Sequence, residues 1–116
     1  MVNYANTQNL EVKILPNNKN IAAGEKSDAA FNFSTKRIHF VGIGGVSMAS
    51  LATLSLIEGA HVSGSDRDLG ERTRRLAALG AEINAGHSEE NIKPEMDLVV
   101  YSGAISNSNP ELLRAS

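Results

Sequence analysis

Whatever chemistry this 116-residue chain carries rests on a glycine turn and a few short polar stretches. "GIGGVSM", Gly42 to Met48, follows an apolar run and opens onto an apparent helix. Gly42 permits a tight exit from a strand, and Gly44 removes a Cβ where a ligand would press closest. Gly45, Val46, Ser47 and Met48 then begin the helix, whose first N–H groups have no intrahelical acceptor and lie at the positive end of the dipole. A diphosphate is the guest such a turn suits. Asp66 lies 22 residues after Gly44, a spacing that suits a carboxylate accepting hydrogen bonds from ribose hydroxyls. Ser47 stands where the third glycine of G-x-G-x-x-G would be, so the dinucleotide fingerprint is incomplete. On spacing alone, three readings stay open: an NAD(P) or flavin dinucleotide, another phosphorylated nucleotide, or a degenerate module that binds no nucleotide.

Other chemistries find no residues to carry them. There is no cysteine, which excludes disulfides, thiolate metal sites and cysteine nucleophiles. His39, His61 and His87 are far apart and show no metal-ligand spacing. His39 and His61 read as strand residues, and His87 as a loop residue. No G-x-x-x-x-G-K-[ST] occurs, so ATP has no P-loop here. No Ser-His-Asp set or carboxylate pair stands out, and no catalytic residue is expected. Arg72, Arg74 and Arg75 could form an anion site, but a solvated helix face is the reading adopted. Net charge is −2, which gives no reason to expect nucleic acid or an anionic membrane as partner. No apolar run approaches the ~20 residues of a membrane span. The N-terminus lacks a secretory pattern, so a cytoplasmic location is expected.

The elements that must position these residues are legible from residue 37 onward. "IHFVGIG" suits a buried parallel strand. "GVSMASLATLSLIEGA" reads as a helix ending near Gly59, and "HVSGSD" as a second strand. "GERTRRLAALGA" reads as a second helix stopped at Gly80, and "AEINAG" as a third strand. "SEENI" suits a helical turn capped by Ser88, and "MDLVVYSGAI" holds a fourth strand. "NPELLRAS" opens a last helix, with Asn109 as N-cap, Pro110 at its first position and Glu111 in its first turn. So short a helix is expected to bury little and to fray. Asn109-Pro110-Glu111 reads as a helix start and nothing more.

Alternating strands and helices predict an α/β fold: a Rossmann-like, doubly wound parallel sheet of strand order 3-2-1-4. Three turns should converge at the carboxyl ends of its strands: Gly42–Ser47, Ser65–Arg67 and Ser102–Ile105. Residues 1–36 differ. They are rich in Asn, Lys, Ala and Ser, hold one short strand candidate in "LEVKIL", and are expected to be a flexible leader. The chain stops six residues after Pro110, which suggests a fragment of a longer protein.

Four motifs, taken in order, resemble the N-terminal domain of the Mur ligases: "IHFVGIGGVSMASLA", "VSGSD", "LGAEINAGHSEENI" and "DLVVYSGAISNSNPEL". The likeness covers residues 37–116. It is nearest to the branch that adds the first amino acid, with the branch that recycles murein tripeptide as a near relative. The resemblance implies that the nucleotide is the UDP portion of UDP-N-acetylmuramate, not NAD. It implies that the backbone from Gly42 through Gly44, Gly45, Val46, Ser47 and Met48 holds the diphosphate. Ser65 and Asp66 would face ribose or uracil, and His87, in "GHSEEN", would approach the uridine or diphosphate. Ser102, Gly103, Ala104 and Ile105 would close over the nucleotide.

Two positions depart from the family pattern: Ser47, where glycine is usual, and Gly103, where serine or threonine is frequent. The family's reaction phosphorylates the muramate carboxylate with ATP and Mg2+, and the amine of L-alanine then attacks the acyl phosphate. Those steps belong to central and C-terminal domains of a parent ligase. Residues 37–116 would be its substrate-binding domain, truncated and inactive by itself, with no cofactor of its own and no metal ligand.

Overall fold

The computed structural model describes the strand Glu11–Ile14 and residues 36–116. Its elements in chain order are β1 (Glu11–Ile14), β2 (Arg37–Val41), α1 (Val46–Ile57), β3 (His61–Asp66), α2 (Glu71–Ala78), β4 (Glu82–Ala85), a 3-10 turn (Glu89–Asn91), β5 (Leu98–Tyr101) and α3 (Pro110–Ala115). The sheet order is β1-β5-β2-β3-β4. β2 pairs parallel with β3 and β5, and β3 parallel with β4. Numbered from Arg37, the four parallel strands therefore run 3-2-1-4, as the alternation of elements predicts.

The sheet also has a fifth strand. β1 joins β5 antiparallel at the edge, with Glu11 opposite Tyr101 and Ile14 opposite Leu98. "LEVKIL" thus supplies a strand to the sheet, which the four-strand expectation did not include. An antiparallel edge strand on an otherwise parallel sheet is a common arrangement. The rest of the expected leader, residues 1–10 and 15–35, lies outside the described residues.

Glycines punctuate the helices. Glu58 is the C-cap of α1, and Gly59 follows with φ 100°; Leu79 is the C-cap of α2, and Gly80 follows with φ 114°. Both hold the left-handed conformation that closes a helix and that glycine adopts without steric cost. In the loop before α2, Thr73 Oγ1 accepts from the Gly70 N–H at 2.8 Å and donates to the Gly70 carbonyl at 2.9 Å.

Both faces of the sheet are covered, so consecutive strand residues are buried with alternating destinations. Ile38, Phe40, Val62, Leu98 and Val100 face α1 and α2, and pack with Ile43, Met48, Ala49, Ala52 and Leu76. Val41 and Val99 face the other way and pack with Ile92, Met96, Leu112 and Ala115. The second cluster corrects one expectation. α3 has only six residues, yet it buries Glu111, Leu112 and Ala115. Tertiary packing, not helix length, holds it.

By the same alternation His39, Ser63 and Ser65 lie on the α3 face of the sheet, opposite Ile38, Phe40, Val62 and Gly64. Three polar side chains on a covered face need partners, and α3 supplies the main one. Among the described residues, no helix is long and apolar enough to cross a membrane.

Candidate functional site

The convergence expected from the strand order is present. At the end of β2, the Gly42 and Ile43 N–H groups both donate to the Ser65 carbonyl of β3, at 2.7 and 2.9 Å. Gly42 takes φ 80°, the left-handed turn that lets the chain leave the strand. A Cβ built on Gly42 would meet Ile105 Cδ1 at 3.4 Å, so the turn after β5 lies directly against the glycine turn. That third turn is closed by Ile105 N–H to the Ser102 carbonyl at 3.1 Å and by Ala104 N–H to Ser102 Oγ at 3.3 Å. Gly103 and Ala104 are exposed at its tip, and Ile105 is half-buried against the second core.

Gly44 is required from inside the protein. Its N–H donates to Asp66 Oδ2 at 2.8 Å, and a Cβ there would meet that oxygen at 2.9 Å and Thr73 Cγ2 at 3.3 Å. The Gly45 N–H donates to the Gly42 carbonyl at 3.1 Å. Two of the backbone donors expected to face a diphosphate are therefore used inside the protein, one by Asp66 of β3 and one by the turn itself. The outward-facing part of the site starts at α1 itself. Gly45 is its N-cap and no side chain caps it; Val46 is exposed, Ser47 half-buried and Met48 buried.

Asp66 is committed on both oxygens. Oδ2 takes the Gly44 N–H, and Oδ1 accepts from the Asp68 N–H at 3.0 Å. Arg72 reaches from α2 to the same turn, where its Nε donates to the Gly44 carbonyl at 2.7 Å. Arg74 and Arg75 instead pair with Glu71 on the exposed face of α2, at 3.1 and 3.4 Å. The arginine cluster thus divides into a solvated face and one residue aimed at the glycine turn. Arg72 also borders two clefts of about 200 Å³ each, one with Gly44, Gly70 and Thr73, the other with Val46 and Leu76 between α1 and α2.

The polar residues of the α3 face form a connected network around Glu111, which is fully buried. Its Oε1 lies 2.7 Å from His39 Nε2 and accepts from Ser65 Oγ at 2.8 Å. Its Oε2 accepts from the Ser88 N–H at 3.0 Å and from Asn91 Nδ2 at 2.7 Å. His39 Nδ1 lies 2.8 Å from Ser63 Oγ, and Ser65 Oγ lies 2.8 Å from His87 Nδ1. Burial alone raises the Glu111 pKa. The hydrogen bonds from His39, Asn91, Ser65 and Ser88 outweigh it and lower the value from 4.5 to about 2.

This network holds two of the expected site residues, Ser65 and His87, together with Asn91 beside them. Ser65 is fully buried and its hydroxyl joins Glu111 to His87, so it acts from behind the site. His87 is mostly buried, with its ring against Ser65 and 3.7 Å from Glu111 Oε2. Asn91, which ends the "GHSEEN" stretch, braces the same loop through Glu111 and through the Gly86 carbonyl, at 2.7 and 3.4 Å.

His39 and Glu111 are the residues that sequence reasoning missed. His39 reads as a strand residue and is one, but it is also completely buried and hydrogen-bonded on both ring nitrogens. Glu111 reads as part of a helix start; Asn109 Oδ1 does accept from its N–H at 2.8 Å. The available signal was a histidine in the middle of an apolar strand covered on both faces.

A cleft of about 550 Å³ opens at the opposite end of the sheet, at the amino ends of the strands, bordered by Arg37, His61, Glu82 and Lys93. It lies away from the three converging turns. Among the described residues, no group of three or more histidines and carboxylates is placed to hold a metal ion.

Comparison with known families matches residues 37–116 to the Mur ligase family, catalytic domain. Among curated proteins the chain is 52% identical over 89 residues to a UDP-N-acetylmuramate–L-alanine ligase of Clostridium novyi, covering 74% of this chain and 19% of that one. It is 48% identical over 87 residues to the ligase of the same name from Clostridium kluyveri, covering 74% and 19%. It is 50% identical over 80 residues to that of Clostridium perfringens, covering 69% and 17%. The chain thus spans about a fifth of the length of the curated relatives it matches.

Proposed function

The chain belongs to the Mur ligase family, and from that premise we propose that residues 37–116 bind UDP-N-acetylmuramate for an ATP-dependent ligase of peptidoglycan synthesis. The observation that carries this reading is the meeting of the three turns at one end of the sheet: Gly42–Met48, Ser65–Asp66 and Ser102–Ile105. The diphosphate lies at the start of α1, where the first helical amides and the dipole favour an anion. Uridine lies between His87 and the turn at Ser102–Ile105. The N-acetylmuramate end points away from the sheet, toward the chemistry.

That chemistry is not in this chain. With no G-x-x-x-x-G-K-[ST], ATP and Mg2+ have no such holder here. They belong to further domains of a parent ligase, which the greater length of the relatives accommodates. The parent joins L-alanine to UDP-N-acetylmuramate in the cytoplasm, and residues 37–116 contribute substrate binding without catalysis.

An NAD(P)-binding reading is less well supported. It needs Asp66 to accept from ribose hydroxyls, whereas both Asp66 oxygens already accept backbone N–H groups. Thermal unfolding with UDP-N-acetylmuramate, UDP and NAD, each in excess, separates the readings. A ligand at a hundred times its Kd adds ~2.7 kcal/mol, which raises the midpoint of so small a domain by roughly 10 °C. Shifts with the uridine ligands and none with NAD are expected. A shift with NAD alone would sink the proposal. If no ligand acts, Ser47→Gly tests whether the serine has closed the diphosphate site.

A further inference from the structure

The proton directions in the buried network follow from the chemistry of its members. The Ser88 N–H and the Asn91 amide nitrogen can only donate, and both point at Glu111 Oε2. His39 Nε2 and Ser65 Oγ meet Oε1. A fully buried carboxyl that faces four such groups is an acceptor toward all of them. Ser65 has a single hydroxyl proton, and it is spent on Oε1. Toward His87 Nδ1, 2.8 Å away, Ser65 Oγ can then only accept. The proton of that bond sits on His87 Nδ1.

We propose that Glu111 is a positioning residue for the nucleotide site: acting through Ser65, it fixes His87 in the Nδ1-protonated form, so that Nε2 is the ring atom that meets the ligand. The proposal rests on the preceding reading for the identity of the ligand, but not for the state of the ring. In a neutral His87 held this way, Nε2 is an acceptor, suited to a ribose hydroxyl or the imide N–H of uracil. The opposite tautomer would turn a donor toward the imide N–H and reject it, and would reverse the sense of a bond to a ribose hydroxyl. Glu111 also holds the loop that carries His87, through Ser88 and Asn91. One carboxylate thus sets both the place of the ring and its hydrogen-bonding sense, as partners behind a histidine do in other sites.

The chain is small enough for the test to be direct. Long-range proton–nitrogen NMR on the full 116-residue chain distinguishes which ring nitrogen of His87 is protonated. The wild-type chain should show Nδ1 protonated in the neutral ring. Ser65→Ala and Glu111→Gln should each move His87 toward the Nε2-protonated form, and weaken UDP-N-acetylmuramate binding by about tenfold, the effect of one lost hydrogen bond. A purely structural Glu111 would leave the tautomer of a folded variant unchanged.

If Glu111→Gln fails to fold, Ser65→Ala decides, since it keeps the carboxylate on Ser88 and Asn91. An Nε2-protonated His87 in the wild type overturns the proposal. So does an unchanged ring in Ser65→Ala. Tautomers as expected, with no binding of UDP-N-acetylmuramate, would remove the ligand reading and leave the Glu111–Ser65–His87 relay standing.

Discussion

His39 and Glu111 lie 72 residues apart in sequence and 2.7 Å apart in space, and neither is exposed. The contact ties the first parallel strand to the last helix across the covered face of the sheet. It places a carboxylate where burial without partners would be costly, and four hydrogen bonds hold it ionised.

Acid stability should report this carboxylate. The folded pKa of Glu111 lies at about 2, below its ordinary 4.5. A group lowered in this way stabilises the fold above the unfolded value, and the contribution is lost as pH falls through the folded value. Stability of the wild-type chain should therefore decline between about pH 4.5 and about pH 2. Chemical denaturation at a series of pH values should show a shallower decline for Glu111→Gln. An identical slope in both proteins would show that Glu111 is not the group responsible. Glu111→Ala leaves His39 and Ser65 buried without their partner, and should cost about 1–3 kcal/mol for each group left unsatisfied at neutral pH.

Much of the fold was legible because it is written in local signals. Gly59 and Gly80 close helices in the left-handed conformation, and Asn109 and Pro110 open one. Alternation of elements then gave the parallel order. What could not be read is non-local. Nothing in "LEVKIL" says which sheet edge it pairs with, and nothing in "NPELLRAS" says which face of the helix is covered. Glutamate in a first helical turn is favoured by the dipole alone, so Glu111 had an ordinary explanation. Similarly, Gly44 reads in sequence as room for a ligand, whereas its lack of a Cβ already serves the approach of Asp66 and Thr73. His39 was the one residue whose surroundings asked for a partner, and spacing does not reveal a partner 72 residues away.

Gly64 should tolerate no side chain. A Cβ there would collide with Ile43 Cδ1 and lie 2.6 Å from Ile43 Cβ and 2.9 Å from Ile43 Cγ2. Gly64→Ala should cost about 1–3 kcal/mol, the usual range for overpacking. Because Ile43 Cβ and Cγ2 persist in valine, adding Ile43→Val should relieve little of the loss. Full recovery in the double variant, measured by denaturant midpoint, would mean that Cδ1 alone limits the approach of the strand end to the glycine turn.

Gly44→Ala should break the link between the glycine turn and β3. The new Cβ meets Asp66 Oδ2 at 2.9 Å, in the position that now accepts the Gly44 N–H. A loss of about 1–3 kcal/mol is expected, with weaker UDP-N-acetylmuramate binding. Here the obstructing atoms belong to a half-buried side chain, so Asp66→Ala should relieve much of the strain. The two changes should then be non-additive in a double-mutant cycle, as neighbouring residues are. Additive losses would show that Thr73 or the backbone, not Asp66, makes glycine necessary.

Adjacent leucines on α3 should behave oppositely, and the contrast decides whether so short a helix is docked or frayed. Leu112 is 6% exposed and packs with Val41, Ile92 and Val99; Leu113 is 61% exposed. Leu112→Ala should cost about 2–5 kcal/mol. Leu113→Ala should fall within about 0.5 kcal/mol of the wild type. Helix propensity cannot produce such a difference, since the same substitution is made one residue apart in the same turn. The measurement also bears on the site, because α3 carries Glu111. A helix anchored by Leu112 and Ala115 keeps the carboxylate on His39 and Ser65, whereas a frayed one would free it. Equal and small effects at both leucines would mean that α3 is not docked in solution, and the order of His87 would then have to come from its own loop.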